Sequence, residues 1–458
     1  MRDDDHFLWW RGHGADRPRD GRWTGIGEEA FQEDERRITG RHRLPGPVPD
    51  WAEDLFRVAR AAFLADKYVR RAGTRDRWTR RIRLSVPVTE HERWRNDAVR
   101  ADLTGLLQTL TGDLWQVEFR PLTGHRVEEA MTFPGDPRAS EVALLSGGLD
   151  SVSWAATRSR AADPRPLLLV MYREVGLLRL QRRVYESVER LGGERPLMLL
   201  PMSQTPKNDG SGLRLETSSR TRGLLYAAGA IRAATAHGAA TVHVPENGQL
   251  AVNPPLTAAR SAACSTRSVH PWTLARLNAL IAAVGEGSGP VRVVNPWARL
   301  TKGEVCAAGR AAGLTPADLE ATLSCGKPPA RRRGGPPLAN CGVCFPCLVR
   351  RSGLLHVNGT DGTPYEASPW ARGLAHERGA DWRALQRWLL GRYDLTDLVT
   401  DTPLPPDADP AATFDVIRRG REELARLLEV AEAAGIAGAA VPTGAARAPQ
   451  AAGAADVA

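Results

Sequence analysis

Lysine and long apolar runs are scarce in this sequence. Lysine supplies only four of the 62 basic residues, so the net charge of +9 comes almost wholly from arginine. The chain has no run of about 18 apolar residues, the length that a membrane-spanning helix needs, and we expect no contact with a membrane. The first ten residues are acidic and lack an apolar core, so we expect no secretory signal and a cytoplasmic location.

The excess of arginine is weak evidence for nucleic-acid binding. The chain is also rich in alanine, glycine and proline, a bias that GC-rich coding sequences produce by themselves. We therefore predict no direct binding of nucleic acid, although the positive charge suits a small anionic substrate. The length of 458 residues and the hydrophobic fraction of 42% indicate a soluble protein of two or three domains.

Six cysteines are present, and four of them have the spacing C-x15-C-x2-C-x2-C. Short gaps let thiolates converge on one tetrahedral ion, and the Pro/Gly/Arg-rich loop before them could not fold by itself. We predict a structural zinc site with no open position, formed by Cys325, Cys341, Cys344 and Cys347. An iron–sulfur cluster and a set of free cysteines are the alternatives. We expect the remaining two, Cys264 and Cys306, to be buried apolar residues.

Residues 141–156 contain the sequence pattern that most strongly indicates a binding site. The apolar run 141–145 suits a buried strand, and the sequence Ser146-Gly147-Gly148-Leu149-Asp150-Ser151 separates it from a helix-compatible run. Paired glycines let the backbone turn sharply, and a helix N-terminus attracts anions. We predict a phosphate-binding loop here, whereas an ordinary strand-to-helix turn needs only part of this sequence. No Gly-Lys-Ser/Thr follows, so the loop is not a Walker A loop.

Apolar strand patterns alternate with helical patterns from residue 140 onwards. We predict strands at 141–145, 166–172, 196–201, 241–245 and 291–295, and helices at 151–160, 177–192, 219–237, 271–285 and 302–313. This alternation predicts an α/β fold with a doubly wound parallel sheet, in which ligands bind at the carboxyl ends of the strands.

The remaining segments flank this alternating region. Helical patterns near 51–71 and 90–110 and strand patterns at 78–88 and 114–119 predict a small α+β domain. The sequence thus divides into an N-terminal α+β region, an α/β domain, a zinc-binding segment, C-terminal helices and a disordered Ala/Gly/Pro tail, with bounds at 1–135, 140–320, 321–355, 356–435 and 436–458.

Charged and polar residues follow several of the predicted strands. Arg220 and Arg222 begin a long helix and could bind phosphate, although arginines are common on the surface of this chain. Lys302 follows the last predicted strand, and since lysines are so few we favour a role at phosphates. Polar residues after the fourth strand could determine specificity, and these are Glu246, Asn247, Asn253, Arg267 and His270. His270 precedes a proline and therefore also suits a helix N-terminus.

Together these motifs resemble the QueC family of N-type ATP pyrophosphatases, which carry the so-called PP-loop. The matching segments are SGGLDS (146–151), SRTRGLLYAAGA (219–230), ENG…NPPL (246–256), STR…HP (265–271), TKGE (301–304) and CGVCFPC (341–347), with Cys325 before the last. They cover about residues 140–352. The N-terminal segments ADKYVRR, WTRRIRLSVPV and LTGDLW look more like the QueC-like proteins of bacterial anti-phage operons, above all the QatC type of the Qat system.

The resemblance implies an adenine nucleotide alpha hydrolase-like fold and an ATP-dependent ligase acting on a 7-deazaguanine carboxylate. ATP and Mg²⁺ would be held by Ser146, Gly147, Gly148, Leu149, Asp150, Ser151 and Arg222. Catalysis would depend on Asp150, Ser151, Arg220 and Lys302. The adenylated acid would pass to ammonia or to an amine of a partner protein from the same operon. A non-catalytic nucleotide-binding component of a defence complex and a tRNA-modifying enzyme are the alternatives.

Overall fold

The computed structural model describes residues 5–13, 15–32, 44–123, 135–173, 175–207, 215–256, 267–285, 291–326, 339–371 and 376–433. Cys264 and the C-terminal tail predicted to be disordered lie outside these ranges. Within them, no helix has both the length and the apolar character needed to cross a membrane.

An N-terminal sheet contains four parallel strands. These are β1 (Asp5–Trp10), β2 (Trp23–Ile26), β3 (Arg81–Val88) and β4 (Leu114–Pro121), arranged in the order β2-β1-β3-β4. Helix α1 (Asp50–Tyr68) connects β2 to β3, and helices α2 (His91–Trp94) and α3 (Asp97–Thr111) connect β3 to β4. Parallel neighbours require such crossovers. This region is therefore α/β, and the predicted α+β arrangement is wrong.

The central sheet contains five parallel strands. These are β5 (Glu141–Leu144), β6 (Leu167–Tyr172), β7 (Leu197–Met202), β8 (Thr241–His243) and β9 (Arg292–Val294), arranged in the order β7-β6-β5-β8-β9. The chain first proceeds outward from β5 to one edge and then from β8 to the other edge. Its winding therefore reverses between β5 and β8, where sheets of this kind bind ligands.

Helices cover both faces of the central sheet. They are α4 (Leu149–Ser159), α5 (Leu178–Glu189), α6 (Arg222–His237), α7 (Gly248–Val252), α8 (Pro271–Val284), α9 (Lys302–Ala311) and α10 (Pro316–Glu320). Alternate residues of β6 contact different cores: Leu168 and Val170 pack with α1, α6 and α8, whereas Leu167 and Leu169 pack with α4, α5 and α9. The first core also contains Leu84 of β3, so one continuous core joins the two sheets.

The C-terminal helices form a third core. They are α11 (Phe345–Asn358), α12 (Ala380–Leu390), α13 (Leu395–Asp401) and α14 (Pro410–Ala433). Leu348 of α11, Leu385 of α12 and Leu424 of α14 are buried together. Helix α14 also packs against α7 and α9, so this group of helices contacts the central α/β region directly.

Candidate functional site

The loop after β5 turns sharply into helix α4. Gly147 has a φ of +87°, which side chains of L residues rarely adopt, and a Cβ atom there would lie 3.1 Å from Leu180 Cδ2. Gly148 follows in an extended conformation and is the N-cap of α4. The paired glycines therefore let the chain pass from strand to helix within a few residues. As a result, the N-terminus of α4 lies at the carboxyl edge of the central sheet.

Serine hydroxyls accept hydrogen bonds from the backbone of this loop. The Ser151 hydroxyl accepts from the Ser146 N–H at 3.3 Å, and the Ser146 hydroxyl accepts from the Gly148 N–H at 3.2 Å. The Ser324 hydroxyl accepts from the Leu149 N–H at 3.3 Å. These hydrogen bonds are long, and none of the three acceptors is charged. Because charged acceptors bind such donors more strongly, the loop can exchange its hydroxyl contacts for phosphate oxygens.

Asp150 and Lys302 form a buried ion pair beside the loop. Asp150 lies in the first turn of α4, and its carboxylate accepts from Nζ of Lys302, the first residue of α9. Lys302 is completely buried, and Asp150 is only 7% exposed. Asn247 donates from Nδ2 to Asp150 Oδ2 at 3.4 Å and to Glu246 Oε1 at 2.8 Å. The four residues follow β5, β8 and β9, and they meet where the winding of the sheet reverses.

The charges of this cluster depend on one another. Burial raises the pKa of Glu246 well above its usual value, and the negative charge of Asp150 raises it further. Burial by itself would lower the pKa of Lys302, but the negative charges of Asp150 and Glu246 outweigh that effect and raise it. Lys302 is therefore protonated at neutral pH and presents a desolvated positive charge beside the loop.

Two polar side chains fix the segment that carries Lys302. Gln249 Oε1 accepts from the backbone N–H of Lys302 at 2.9 Å. Glu423 of α14 accepts from the Gly303 N–H at 3.0 Å and also from the Thr301 hydroxyl. The same Thr301 caps α9 through a capping box. The start of α9 thus has its backbone donors satisfied on two sides.

The residues after β9 connect the two loops at this edge of the sheet. Asn295 Oδ1 accepts from the Glu246 N–H at 3.1 Å, and Asn295 Nδ2 donates to the Glu246 carbonyl at 2.7 Å. Trp297 Nε1 donates to the Asp150 carbonyl at 3.3 Å. Glu246 and Asp150 therefore have fixed backbones as well as interacting side chains.

Two other predicted site residues lie against the N-terminal region. Arg220 donates to the Thr111 carbonyl at 3.0 Å, and its guanidinium carbon lies 4.6 Å from the centre of the Trp78 ring. Arg267 approaches the Thr109 carbonyl at 3.5 Å. Among the described contacts, both arginines thus reach helix α3 and not the buried ion pair. Their predicted roles at phosphate and substrate stay predictions.

The three remaining predicted residues lie at helix ends. His270 caps α8, where Nδ1 accepts from the Trp272 N–H at 3.1 Å, and burial lowers the pKa of His270 to about 4. Asn253 ends α7 with a φ of +50°. Arg222 begins α6, and its guanidinium carbon lies 5.8 Å from the centre of the Tyr226 ring. His270 and Asn253 therefore have local structural roles in addition to the binding roles predicted for them.

The four cysteines predicted to bind metal lie together. Their Sγ atoms are all within 4.8 Å of one another, with Cys325 and Cys344 at 3.9 Å and Cys341 and Cys347 at 3.9 Å. Four Zn–S bonds of about 2.3 Å in a tetrahedron place the sulfur atoms about 3.8 Å apart. The cluster could therefore hold a metal such as zinc with little rearrangement.

Local backbone geometry explains how two-residue gaps bring the cysteines together. Gly342 has a φ of +79°, which turns the chain between Cys341 and Cys344. Cys344 is the N-cap of α11, and Cys347 lies in the first turn of that helix. A tight turn followed by a helix N-terminus thus directs three sulfur atoms to one point.

The cysteine cluster is connected to the glycine loop through hydrogen bonds. The Leu323 N–H donates to the Gly147 carbonyl at 3.1 Å, and the neighbouring Ser324 accepts from the first N–H of α4. Asn340, which directly precedes the second cysteine, accepts from the Ser324 N–H at 3.0 Å and donates to the Thr322 carbonyl at 3.1 Å. Any metal held by the cysteines would therefore also fix a segment that contacts the loop.

Cys306 is unsuited to nucleophilic chemistry in this structure. It lies on α9, one turn after Lys302, and its side chain is completely buried. Burial raises the pKa of the Cys306 thiol to about 12, so the thiol stays protonated at neutral pH. Its contacts are those of the buried apolar residue that the sequence predicts.

Comparison of the chain with models of known protein families, with curated proteins and with solved structures gives no match. The resemblance to the QueC family therefore depends on the sequence motifs alone.

The sequence interpretation missed several residues of the site, among them Asn295, Ser324, Gln249 and Glu423. Asn295 ends a predicted strand at the ligand-binding edge, and Ser324 directly precedes a predicted metal ligand, so both had a positional signal. Gln249 lies in the polar loop after β8 and had a weaker one. Glu423 had no such signal, because it lies on a C-terminal helix that the sequence interpretation did not connect with the site.

Proposed function

We propose that this chain is an ATP-dependent PP-loop ligase of the QueC-like group, most similar to the QatC type of the Qat anti-phage systems. The observation that carries the proposal is the buried Lys302–Asp150 pair beside the N-terminus of α4, at the reversal point of a parallel sheet. Backbone donors, a protonated lysine and a carboxylate together suit a polyphosphate with a divalent cation. The sequence motif SGGLDS supplies the more specific assignment to ATP pyrophosphatases.

In this proposal each polar group of the site has a distinct role. The loop N–H groups from Ser146 to Ser151 would bind the pyrophosphate portion of ATP, and Lys302 would neutralise the charge that develops as pyrophosphate leaves. The Asp150 carboxylate would hold Mg²⁺, which lowers the repulsion between the phosphates and an incoming carboxylate. Asn247 and Glu246 lie within hydrogen-bonding distance of one another beside Asp150, and their polar groups could pair with the edge of a purine-like substrate.

The proposed reaction has two steps. A carboxylate oxygen of 7-carboxy-7-deazaguanine or a close relative attacks the α-phosphorus of ATP, and the bond from that phosphorus to the bridging oxygen breaks to release pyrophosphate. The adenylate makes the carboxyl oxygen a good leaving group. An amine, either ammonia or an amino group of a partner protein, then attacks the carbonyl carbon and AMP departs with its oxygen.

The buried state of Cys306 supports acyl transfer over sulfur transfer. A tRNA-thiolating enzyme that used this cysteine would need an accessible thiolate, whereas the pKa of Cys306 is raised to about 12 by burial. We therefore favour an amine as the acceptor. A non-catalytic nucleotide-binding component of a defence complex is distinguished from this enzyme by turnover alone.

The test is product analysis by mass spectrometry. The protein is incubated with ATP, Mg²⁺, the deazaguanine acid and ammonia, with or without any partner encoded in the same operon. We expect AMP and pyrophosphate in equal amounts, together with an amide or protein adduct, or with a nitrile if a second ATP activates the amide oxygen so that it leaves with AMP. Asp150→Asn should abolish the release of pyrophosphate, whereas Asp97→Asn, at an exposed ion pair on α3, should not. Release of ADP and phosphate, or the absence of every acyl product, would contradict the proposal.

A further inference from the structure

Helix α14 contacts the helix that carries Lys302, although α14 lies outside the segment that resembles the QueC family. Glu423 of α14 is 5% exposed and accepts from the Gly303 N–H at 3.0 Å and from the Thr301 hydroxyl. These groups flank Lys302 on both sides along the chain. The carboxylate of Glu423 is therefore hydrogen-bonded to the residues immediately before and after the lysine.

The surrounding residues leave room for this carboxylate. A Cβ atom on Gly303 would lie 2.5 Å from Glu423 Oε1, so a side chain there would displace the carboxylate. Arg419, four residues before Glu423, forms an ion pair with Glu304 and donates to the Arg299 carbonyl at 2.9 Å. Residues on one face of α14 thus hold the segment before α9 and the first turn of α9.

The same helix determines the position of Gln249. Gln249 accepts from the Lys302 N–H, and Gly420 of α14 has no side chain that would overlap the Gln249 amide. Glu423 and Gln249 together accept hydrogen bonds from the first two backbone N–H groups of α9. The backbone of Lys302 is therefore fixed by one residue of α14 and by one residue whose space α14 provides.

Electrostatics give this arrangement a further consequence. The N-terminus of a helix carries a partial positive charge and is an unfavourable place for a lysine. Three carboxylates compensate here. Asp150 contacts the ammonium group, and Glu304 and Glu423 accept from backbone N–H groups at the start of α9. Without Glu423, the Gly303 N–H would lose its carboxylate acceptor, and the first turn could rotate.

We infer that Glu423 is a positioning residue that fixes the first turn of α9, so that Lys302 Nζ stays on Asp150 and reaches the phosphates of ATP. The part that concerns ATP rests on the proposed function, whereas the geometric part does not. The C-terminal helix is therefore a component of the site, even though it supplies no side chain to the ion pair itself.

Steady-state kinetics of pyrophosphate release test the part that concerns ATP. We expect Glu423→Ala to lower kcat by about ten-fold or more, a change of about 1.4 kcal/mol in the activation barrier, with a smaller change in KM for ATP. Glu423→Gln keeps an acceptor for the Gly303 N–H and should recover part of the loss. In a Lys302→Met background, Glu423→Ala should cause no further fall. The matched control is Glu422→Ala, which removes an exposed pair with Arg418 on the same helix turn.

Nuclear magnetic resonance tests the geometric part without turnover. The chain has only four lysines, so protein labelled with ¹³C at lysine Cε gives few signals, and Lys302→Met assigns that of Lys302. We expect Glu423→Ala to shift this signal and Glu422→Ala to leave it in place. If the parent protein did not turn over ATP, the proposed function would be contradicted. The spectrum would still show whether Glu423 positions Lys302.

Two results would overturn the inference. One is an unchanged Lys302 signal together with unchanged turnover in Glu423→Ala. The other is an equal loss of turnover in the parent and Lys302→Met backgrounds, which would indicate that Glu423 acts on overall stability and not through Lys302. If Glu423→Ala did not fold in a thermal melt, the same measurements on Glu423→Gln would decide.

Discussion

Replacing Lys302 by methionine should destabilise the protein more than removing the whole ion pair does. Lys302 is completely buried and Asp150 is 7% exposed, so the substitution leaves the Asp150 carboxylate without its counter-charge and next to Glu246. Loss of one partner of a buried pair costs about 3–5 kcal/mol. The free energy of unfolding of a typical domain is only about 5–15 kcal/mol, so this loss should be easy to measure.

The double variant Asp150→Asn with Lys302→Met isolates the pair. It removes both charges, and neutral replacements of a buried pair are often tolerated, so most of the stability should return. We expect a coupling energy of about 2–4 kcal/mol between the two residues. The measurement is a set of urea titrations, monitored by circular dichroism, of the parent, the two single variants and the double variant. Arg100→Met, which breaks an exposed pair with Asp97, is the control and should change stability by less than about 1 kcal/mol.

The pH dependence of Lys302→Met provides a second measurement. Burial raises the pKa of Glu246 and the charge of Lys302 lowers it, so without the lysine the Glu246 carboxyl should hold a proton more tightly in the folded state than in the unfolded state. A folded protein that binds more protons gains stability as pH falls, so the deficit of Lys302→Met should shrink between pH 8 and pH 5. Equal losses in the single and double variants, or a deficit that does not change with pH, would refute the reasoning that the two charges are buried and coupled.

Two further predictions concern other parts of the chain. Purified protein should contain one zinc ion per chain. Cys344→Ser should release the zinc and make the segment near the cysteines the first site of protease cleavage, since a metal there organises a loop without a core of its own. Full stability without zinc would contradict this prediction. Burial lowers the pKa of His270 to about 4, against an ordinary value of 6.5. As the pH falls, the unfolded chain therefore takes up a proton at a higher pH than the folded chain does. The free energy of unfolding should fall by about 2 kcal/mol between pH 7 and pH 5. His270→Asn keeps an acceptor at this helix N-cap and should lose that part of the pH dependence, and an unaltered pH profile in urea titrations would count against it.

Local patterns in the sequence predicted the central sheet and much of the candidate site. All five strands of this sheet were predicted to within two residues at each end, because apolar runs between turn residues are local signals. The carboxyl ends of parallel strands converge at one edge, so Asp150, Asn247 and Lys302 could be expected near each other once the strands were known. The cysteine cluster followed from spacing, since two-residue gaps alone bring thiolates within reach of one ion.

Long-range packing determined what the sequence could not predict. The parallel pairing of β1 with β2 and β3 leaves no trace in the strands themselves, so the N-terminal region was assigned the wrong arrangement. Arg220 was predicted to begin a helix; it lies two residues before the first residue of α6 and contacts a carbonyl 109 residues earlier in the chain. The hydrogen bond from Gly303 to Glu423 spans 120 residues. Contacts of this kind depend on how finished elements pack, and one sequence contains no local pattern that indicates them.

The geometry of the glycine loop must be maintained from outside the loop. Its own hydrogen bonds are long and go to serine hydroxyls, which can rotate, so they contribute little to a fixed anion site. The stronger supports come from segments far along the chain. The N–H of Leu323, next to the cysteine cluster, donates to the Gly147 carbonyl at 3.1 Å, and Glu423 of α14 holds the first turn of α9. A fragment that ended near residue 320 would contain every strand of the central sheet and every residue of the ion pair, but neither of these supports. The chain after residue 320 therefore completes the site, and the cysteine cluster and the last helix contribute to it by fixing its backbone.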